Sequence, residues 1–346
     1  MKLAPLVLVA AFVAPLVADP STYARGALSN VEGQSQEGFS FRSGVELINV
    51  TATVSDGDGR FVSGLRKDDF SVFEDGEPQT ITHFSNERVP VSLGIVLDAS
   101  GSMTPDKMSA ARAAIDRFVF DLLGPDDELF FMEFANRPDL VQDWTTDRRA
   151  ISRAVARVAP GGGTSMYDAI ADAVPLASIG KHPKKAILVI SDGNDTNSRI
   201  SVGELRYVIR ESEVLVYALG VDGTAVSTRR PTIQVPVPVP FPIPGRRQRR
   251  LPPIIGGSGG GQMRTNERVN ADALRQVTDD TGGRTEIVRG FGDLDGATAR
   301  LADEFSKQYY LGYPSPGKKD GRWHTIRVDV KDRRLAVRAR RGYIAS

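Results

Sequence analysis

The chain has 346 residues, enough for one sizeable core plus a smaller unit. Its 44 Lys and Arg against 43 Asp and Glu leave a formal net charge of +1, so no general attraction to polyanions is implied. Cysteine is absent, which excludes disulfides, thiolate nucleophiles and Cys-ligated zinc, and three widely spaced histidines (His83, His182, His324) argue against a histidine-rich zinc site.

Lys2 is followed by an almost wholly apolar run from Leu3 to Ala18, with small residues at Ala18 and Ala24. Residues 1–24 therefore read as a secretory signal peptide. Pro5 and Pro15 break the run, and it is shorter than the roughly 20 residues of a membrane span. A retained amino-terminal anchor is the alternative; a lipoprotein anchor is excluded because no cysteine follows. No transmembrane segment is expected after signal removal, and an extracytoplasmic location follows: secreted, periplasmic or envelope-associated.

Residues 25–44 are polar and read as a linker. In residues 45–88, Ile48, Val50, Ala52 and Val54 alternate with polar residues, the signature of a half-buried strand. Ser55-Asp56-Gly57-Asp58-Gly59 supplies turn chemistry. A calcium loop is the lesser reading, since no glutamate closes an EF-type loop. Short extended pieces follow at 61–62, 70–73 and 80–84. Four strands would be marginal alone, but 313–346 offers partners: Ile326, Val328 and Val330 alternate, as do Leu335, Val337 and Ala339. Both ends are expected to pair into one small β-sandwich; two separate appendages are the alternative.

The middle, 89–312, reads as strand–helix repeats. Val91–Asp98 is a buried strand, and Lys107–Leu123 a helix with Met108, Ala111, Ile115, Phe118 and Leu122 in phase. Strands are expected at 126–134, 185–190, 213–220 and 284–288. Helices are expected at 149–158, within 164–179, and at 202–212, 270–281 and 294–309. This alternation implies an α/β fold with a mostly parallel sheet covered on both faces. Residues 222–265 interrupt it with Pro236, Pro238, Pro240, Pro242 and Pro244, an arginine cluster and a glycine run, and read as an extended, disordered loop.

The first central strand ends in Asp98-Ala99-Ser100-Gly101-Ser102. Farther along come Gly161-Gly162-Gly163-Thr164-Ser165 and Ser191-Asp192-Gly193. In a parallel sheet all three segments reach the carboxyl edge, where open α/β sheets bind ligands. Two carboxylates and three hydroxyls are hard oxygen donors, the kind that magnesium takes. Asp195 reads as a residue that orders its turn, and Asp168 as a possible support inside a helix.

This Asp-x-Ser-x-Ser run with a distant Thr and a distant Asp resembles the metal-ion-dependent adhesion site (MIDAS) of the von Willebrand factor A family. The resemblance implies a Rossmann-like fold and a metal set of Asp98, Ser100, Ser102, Thr164 and Asp192. The three hydroxyls would coordinate directly, and the two aspartates largely through bound water. It also implies Mg2+, with Mn2+ or Ca2+ as alternatives, and a protein partner whose Asp or Glu completes the coordination. Both flanks resemble the von Willebrand factor A-related proteins described in acidobacteria. They do so through Val62-x-Gly64-Leu65, Asp69-Phe70-x-Val72-x-Glu74-Asp75-Gly76, Tyr309-Tyr310-Leu311-Gly312-Tyr313 and Val337-Arg338-Ala339-Arg340-Arg341-Gly342-Tyr343. Tyr309, Tyr310 and Tyr313 are expected to pack between helix end and sandwich.

The expected function is metal-dependent protein binding or adhesion, without enzymatic activity. A structural module with a purely stabilising metal is one alternative. A metal-dependent hydrolase is another, though Ser165, His182 and Asp192 lack a nucleophile-elbow context. The basic stretch 318–341 reads as a solvated face, and nucleic acid is a poor fit for an exported chain without a recognition motif. The residues give no oligomeric state.

Overall fold

Six strands form the central sheet of the computed structural model, which describes residues 47–222, 269–315 and 320–345. The expected signal peptide, the expected linker and nearly all of residues 222–265 lie outside the described residues.

The antiparallel parts use β1 (Leu47–Ser55), β2 (Phe70–Glu74), β3 (Glu77–Gln79) and β4 (His83–Ser85). The central sheet uses β5 (Val91–Asp98), β6 (Glu128–Phe134), β7 (Pro138–Thr145), β8 (Lys184–Ser191), β9 (Leu215–Val221) and β10 (Thr285–Val288). Helices are α1 (Pro105–Arg117), α2 (Arg148–Arg157), α3 (Met166–Ser178), α4 (Val202–Glu211), α5 (Ala271–Thr278) and α6 (Phe291–Ser306). The chain closes with β11 (Tyr309–Pro314), β12 (Trp323–Val330), β13 (Ala336–Ala339) and β14 (Gly342–Ile344).

Central strand order is β10-β9-β8-β5-β6-β7, parallel throughout except for β7. All eight residues of β5 are buried, as a strand covered on both faces requires. Leu93, Ile95 and Leu97 pack against α1, α2 and α6 on one face. On the other, Val96 and its neighbours meet α3, α4 and α5. The chain leaves β5 through α1 toward β6, then returns through α3 to β8 on the opposite side of β5. The divergence places a topological switch point at the carboxyl end of β5.

Local chemistry fixes the helix starts. Thr104 caps α1 by accepting from the Lys107 amide at 3.4 Å, with Pro105 in the first turn. Ser201 and Glu204 form a reciprocal capping box at α4. After α1 the helix widens into one π-helical turn at Phe118–Leu122, which buries Phe118 and Val119.

Strands from both ends of the chain do pair. One four-stranded sheet has the order β13-β1-β11-β4, the other β14-β12-β2-β3. Their shared core holds Val50, Val54, Phe70, Val72, Tyr309, Tyr313 and Val328. Two departures from the sequence expectation stand out. The last helix stops at Ser306 rather than Tyr309, and the tyrosine cluster begins strand β11, antiparallel to β1. Strand alternation explains this: Tyr309, Leu311 and Tyr313 turn into the sandwich core. The second departure is β7, an edge strand with no buried residue, whose weak apolar alternation hides it in the sequence. Its Trp144 packs edge-on against Phe130, with ring centroids 4.8 Å apart.

Candidate metal centre

Asp98 ends β5 one residue past the pairing of Leu97 with Ile190, so it meets Ser191 at the end of β8. The Ser191 hydroxyl donates to Asp98 Oδ2 at 2.6 Å, and the Ser100 amide donates to Asp98 Oδ1 at 2.8 Å. Both oxygens of this fully buried carboxylate are thus engaged, each with lone-pair capacity left. Burial pushes the Asp98 carboxyl up to about 6; the Ser100 and Ser191 hydrogen bonds oppose that rise, and the Asp192 charge adds to it.

Ser100 and Ser102 project from the turn between β5 and α1, their hydroxyl oxygens 2.9 Å apart. The glycine loop lies directly against this turn. Gly161 donates to the Ala99 carbonyl at 2.8 Å, and Gly101 to the Gly162 carbonyl at 3.0 Å. Gly162 has φ +82°, and a Cβ there would stand 2.7 Å from the Asn136 side chain, so the loop needs glycine at that position.

Thr164 follows, buried, with its backbone held by the next loop. Its amide donates to the Thr196 hydroxyl at 3.0 Å, and its carbonyl accepts from the Thr196 and Asn197 amides at 2.9 Å. Asp192, fully buried just beyond β8, completes the group. Its Oδ1 accepts from the Asn194 amide at 3.2 Å, and its Oδ2 accepts from the Lys107 ammonium at 2.9 Å. Lys107 also donates to the Ser102 carbonyl at 3.2 Å.

The structure therefore brings Asp98, Ser100, Ser102, Thr164 and Asp192 to one carboxyl-edge cluster of three hydrogen-bonded loops. Asp195 and Asp168 sit beside it as braces. Asp195 accepts from the Tyr167 amide at 3.0 Å and from the Ser198 hydroxyl at 2.5 Å. Asp168 accepts from the Arg199 amide at 3.0 Å and the Ile200 amide at 3.2 Å. By contrast, Ser165, His182 and Asp192 do not assemble. The His182 amide donates to Ser92 at the start of β5 (2.9 Å), and its ring bonds the Asp126 carbonyl. Ser92 and Asp98 are six residues apart along a strand, about 20 Å at ~3.3 Å per residue.

Lys107 and Ser191 escape a motif reading. Lys107 carried one sequence signal: it heads a helix whose apolar face includes Met108, Ala111 and Ile115, four residues before Ala111 on the same side. Ser191 carried none beyond its place next to Asp192.

Residues 93–194 match the sequence profile of the von Willebrand factor type A domain. These residues belong to a von Willebrand factor type A domain. Mouse inter-alpha-trypsin inhibitor heavy chain H2 is 24% identical over 148 residues, which cover 38% of this chain and 16% of that protein. An uncharacterized Synechocystis protein is 28% identical over 139 residues, covering 39% of this chain and 33% of its own length. The chain thus spans a third or less of either curated relative. Among solved structures, proximal thread matrix protein 1 from the mussel byssus, with a zinc-occupied MIDAS motif, aligns at TM-score 0.44 and 15% identity over 67% of this chain and 49% of its own. No helix among the described residues is long and apolar enough to cross a membrane.

The donor set of this type A domain fits a small divalent cation. Three hydroxyls from two loops offer neutral oxygens, and two buried carboxylates retain free lone pairs while their orientation is fixed by hydrogen bonds.

Proposed function

We propose that the domain binds a protein partner through a divalent cation, Mg2+ in the first instance, held by Ser100, Ser102 and Thr164 with Asp98 and Asp192 acting through water. The bound ion would supply a Lewis-acidic position for an Asp or Glu carboxylate of the partner. The carrying observation is the cluster itself: two fully buried carboxylates and three hydroxyl residues on three cross-bonded loops at the switch point of the sheet.

The chain's own residues prepare that position. Ser191 and the Ser100 amide hold the Asp98 carboxylate in one orientation. The Thr196 and Asn197 amides fix the Thr164 backbone. Docking therefore costs little loop ordering, and affinity reflects preorganisation rather than contact area. The separation of His182 from Ser165 and Asp192 favours a binding role over hydrolysis.

We read the protein as an exported or envelope component. The test is cross-linked capture from the native cell envelope with wild-type protein, with wild type plus chelator, and with Asp98→Ala. Capture of a defined partner by wild type alone is the expected result. Equal capture in all three arms removes the cation from the mechanism.

A further inference from the structure

Lys107 is the member of the cluster that a hydroxyl-and-carboxylate cation site does not call for. Its side chain is 1% exposed and its partner carboxylate is fully buried. Burying an ammonium is costly unless it is paired and hydrogen-bonded. Here Asp192 Oδ2 at 2.9 Å and the Ser102 carbonyl at 3.2 Å supply both. The position is set by the helix start, since Thr104 caps α1 on the Lys107 amide and the helix begins at Pro105, shortly after Ser102.

The charge count is simple. Asp98 and Asp192 bring two negative charges and Lys107 one positive, so the three together carry one net negative charge. A divalent cation among them keeps one positive charge uncompensated; with the two aspartates alone it would keep none. We propose that Lys107 is a built-in counter-charge that weakens cation uptake by the loops and leaves the bound ion one negative charge short. An outside carboxylate then restores neutrality. This rests on the metal-dependent reading above and adds to it what makes the site depend on its partner. The Asp192 carboxylate, with its second oxygen on Asn194, is held in place by the same ammonium that neutralises it.

A purely architectural lysine, tying α1 to the two loops, makes a different prediction. The test uses the full-length chain stripped of metal and titrated with Mn2+, with free ion followed by electron paramagnetic resonance. Wild type is compared with Lys107→Gln, Asp192→Asn and the double variant, each checked for native circular dichroism. Gln keeps a donor but removes the charge. Lys107→Gln is expected to bind Mn2+ about tenfold or more tightly than wild type, and Asp192→Asn about tenfold or more weakly. The double variant has the wild-type net charge and is expected within about threefold of wild type. A folded Lys107→Gln protein with wild-type or weaker affinity overturns the counter-charge. If that variant does not fold, the double variant decides: near-wild-type affinity supports the proposal and lost Mn2+ binding overturns it. Wild type that takes up no Mn2+ refutes the metal reading itself, a separate outcome.

Discussion

Asp98 and Asp192 show how a motif residue depends on neighbours outside the motif. The Asp-x-Ser-x-Ser run and the distant Thr164 and Asp192 were legible in the sequence because their segments follow predicted strands and helices to one sheet edge and together resemble the family's metal motif. Lys107 and Ser191 were not, because their roles arise only when α1 and β8 are brought beside β5. His324 is a second example, in the sandwich rather than at the site. Its Nδ1 lies 2.8 Å from Asp75 Oδ2 and its Nε2 3.1 Å from Asp320 Oδ1, with Glu74 3.7 Å away and Tyr343 stacked on the ring. Two carboxylates facing both ring nitrogens select the doubly protonated imidazolium. Burial pulls the His324 pKa down, but the hydrogen bonds and charges of Asp320 and Asp75 outweigh it and raise the pKa above the ordinary 6.5. A raised histidine pKa contributes stability that is complete below 6.5 and lost as pH climbs through the folded value. Wild-type Tm should therefore fall relative to His324→Gln as pH rises above 6.5. Parallel Tm curves for the two proteins over that interval would count against the imidazolium pairing.

At the level of elements, Gly94 explains why a buried strand carries a residue of poor strand propensity. A Cβ on Gly94 would lie 2.1 Å from Cζ of Phe130 on the neighbouring strand, and that ring is fully buried against Trp144 and α3. Gly94→Ala should destabilise by about 1–3 kcal/mol, the range for overpacking a dense core. Urea unfolding measures it, and an unchanged midpoint would contradict the packing account. Long elements with strong periodicity, such as β5, α1 and β8, were readable from the chain because burial on one or both faces dictates their pattern. The edge strand β7 was not, since it buries little. The end of α6 was misplaced because Phe305 and Tyr309 keep helical spacing, while Lys307 closes the helix and Tyr309 pairs with Ala52. That pairing also explains the flank motifs. Tyr309 donates its hydroxyl to the Val62 carbonyl at 2.9 Å and accepts from the Leu65 amide at 3.1 Å, joining the Val-x-Gly-Leu and Tyr-Tyr-Leu-Gly-Tyr segments.

Across the whole molecule, the α/β part and the sandwich share a buried polar knot centred on Glu304 at the end of α6. Glu304 Oε1 accepts from Tyr217 on β9 at 3.0 Å, from Thr53 on β1 at 3.3 Å, and from Arg338 on β13. Glu304 is fully buried, so removing Arg338 takes away the salt-bridge partner of a charge that burial makes dependent on pairing. Arg338→Ala should cost about 3 kcal/mol or more and lower the main calorimetric transition. The interlock also predicts that wild-type α/β and sandwich parts melt together, whereas two resolved wild-type transitions would contradict it. The strands at the chain ends were legible from alternation, and their pairing was the expected way to complete a core too thin alone; this knot was not legible, because its members are scattered from Thr53 to Arg338. The central claim remains that the loops around Asp98 hold a divalent cation for a partner. Calorimetric titration of Mg2+ into the metal-free full-length chain tests it most directly, beside Asp98→Ala and Ser100→Ala. The account predicts saturable binding at one ion per chain in wild type and its loss in both variants. Absence of saturable binding in wild type, or binding unchanged in Asp98→Ala, would contradict it.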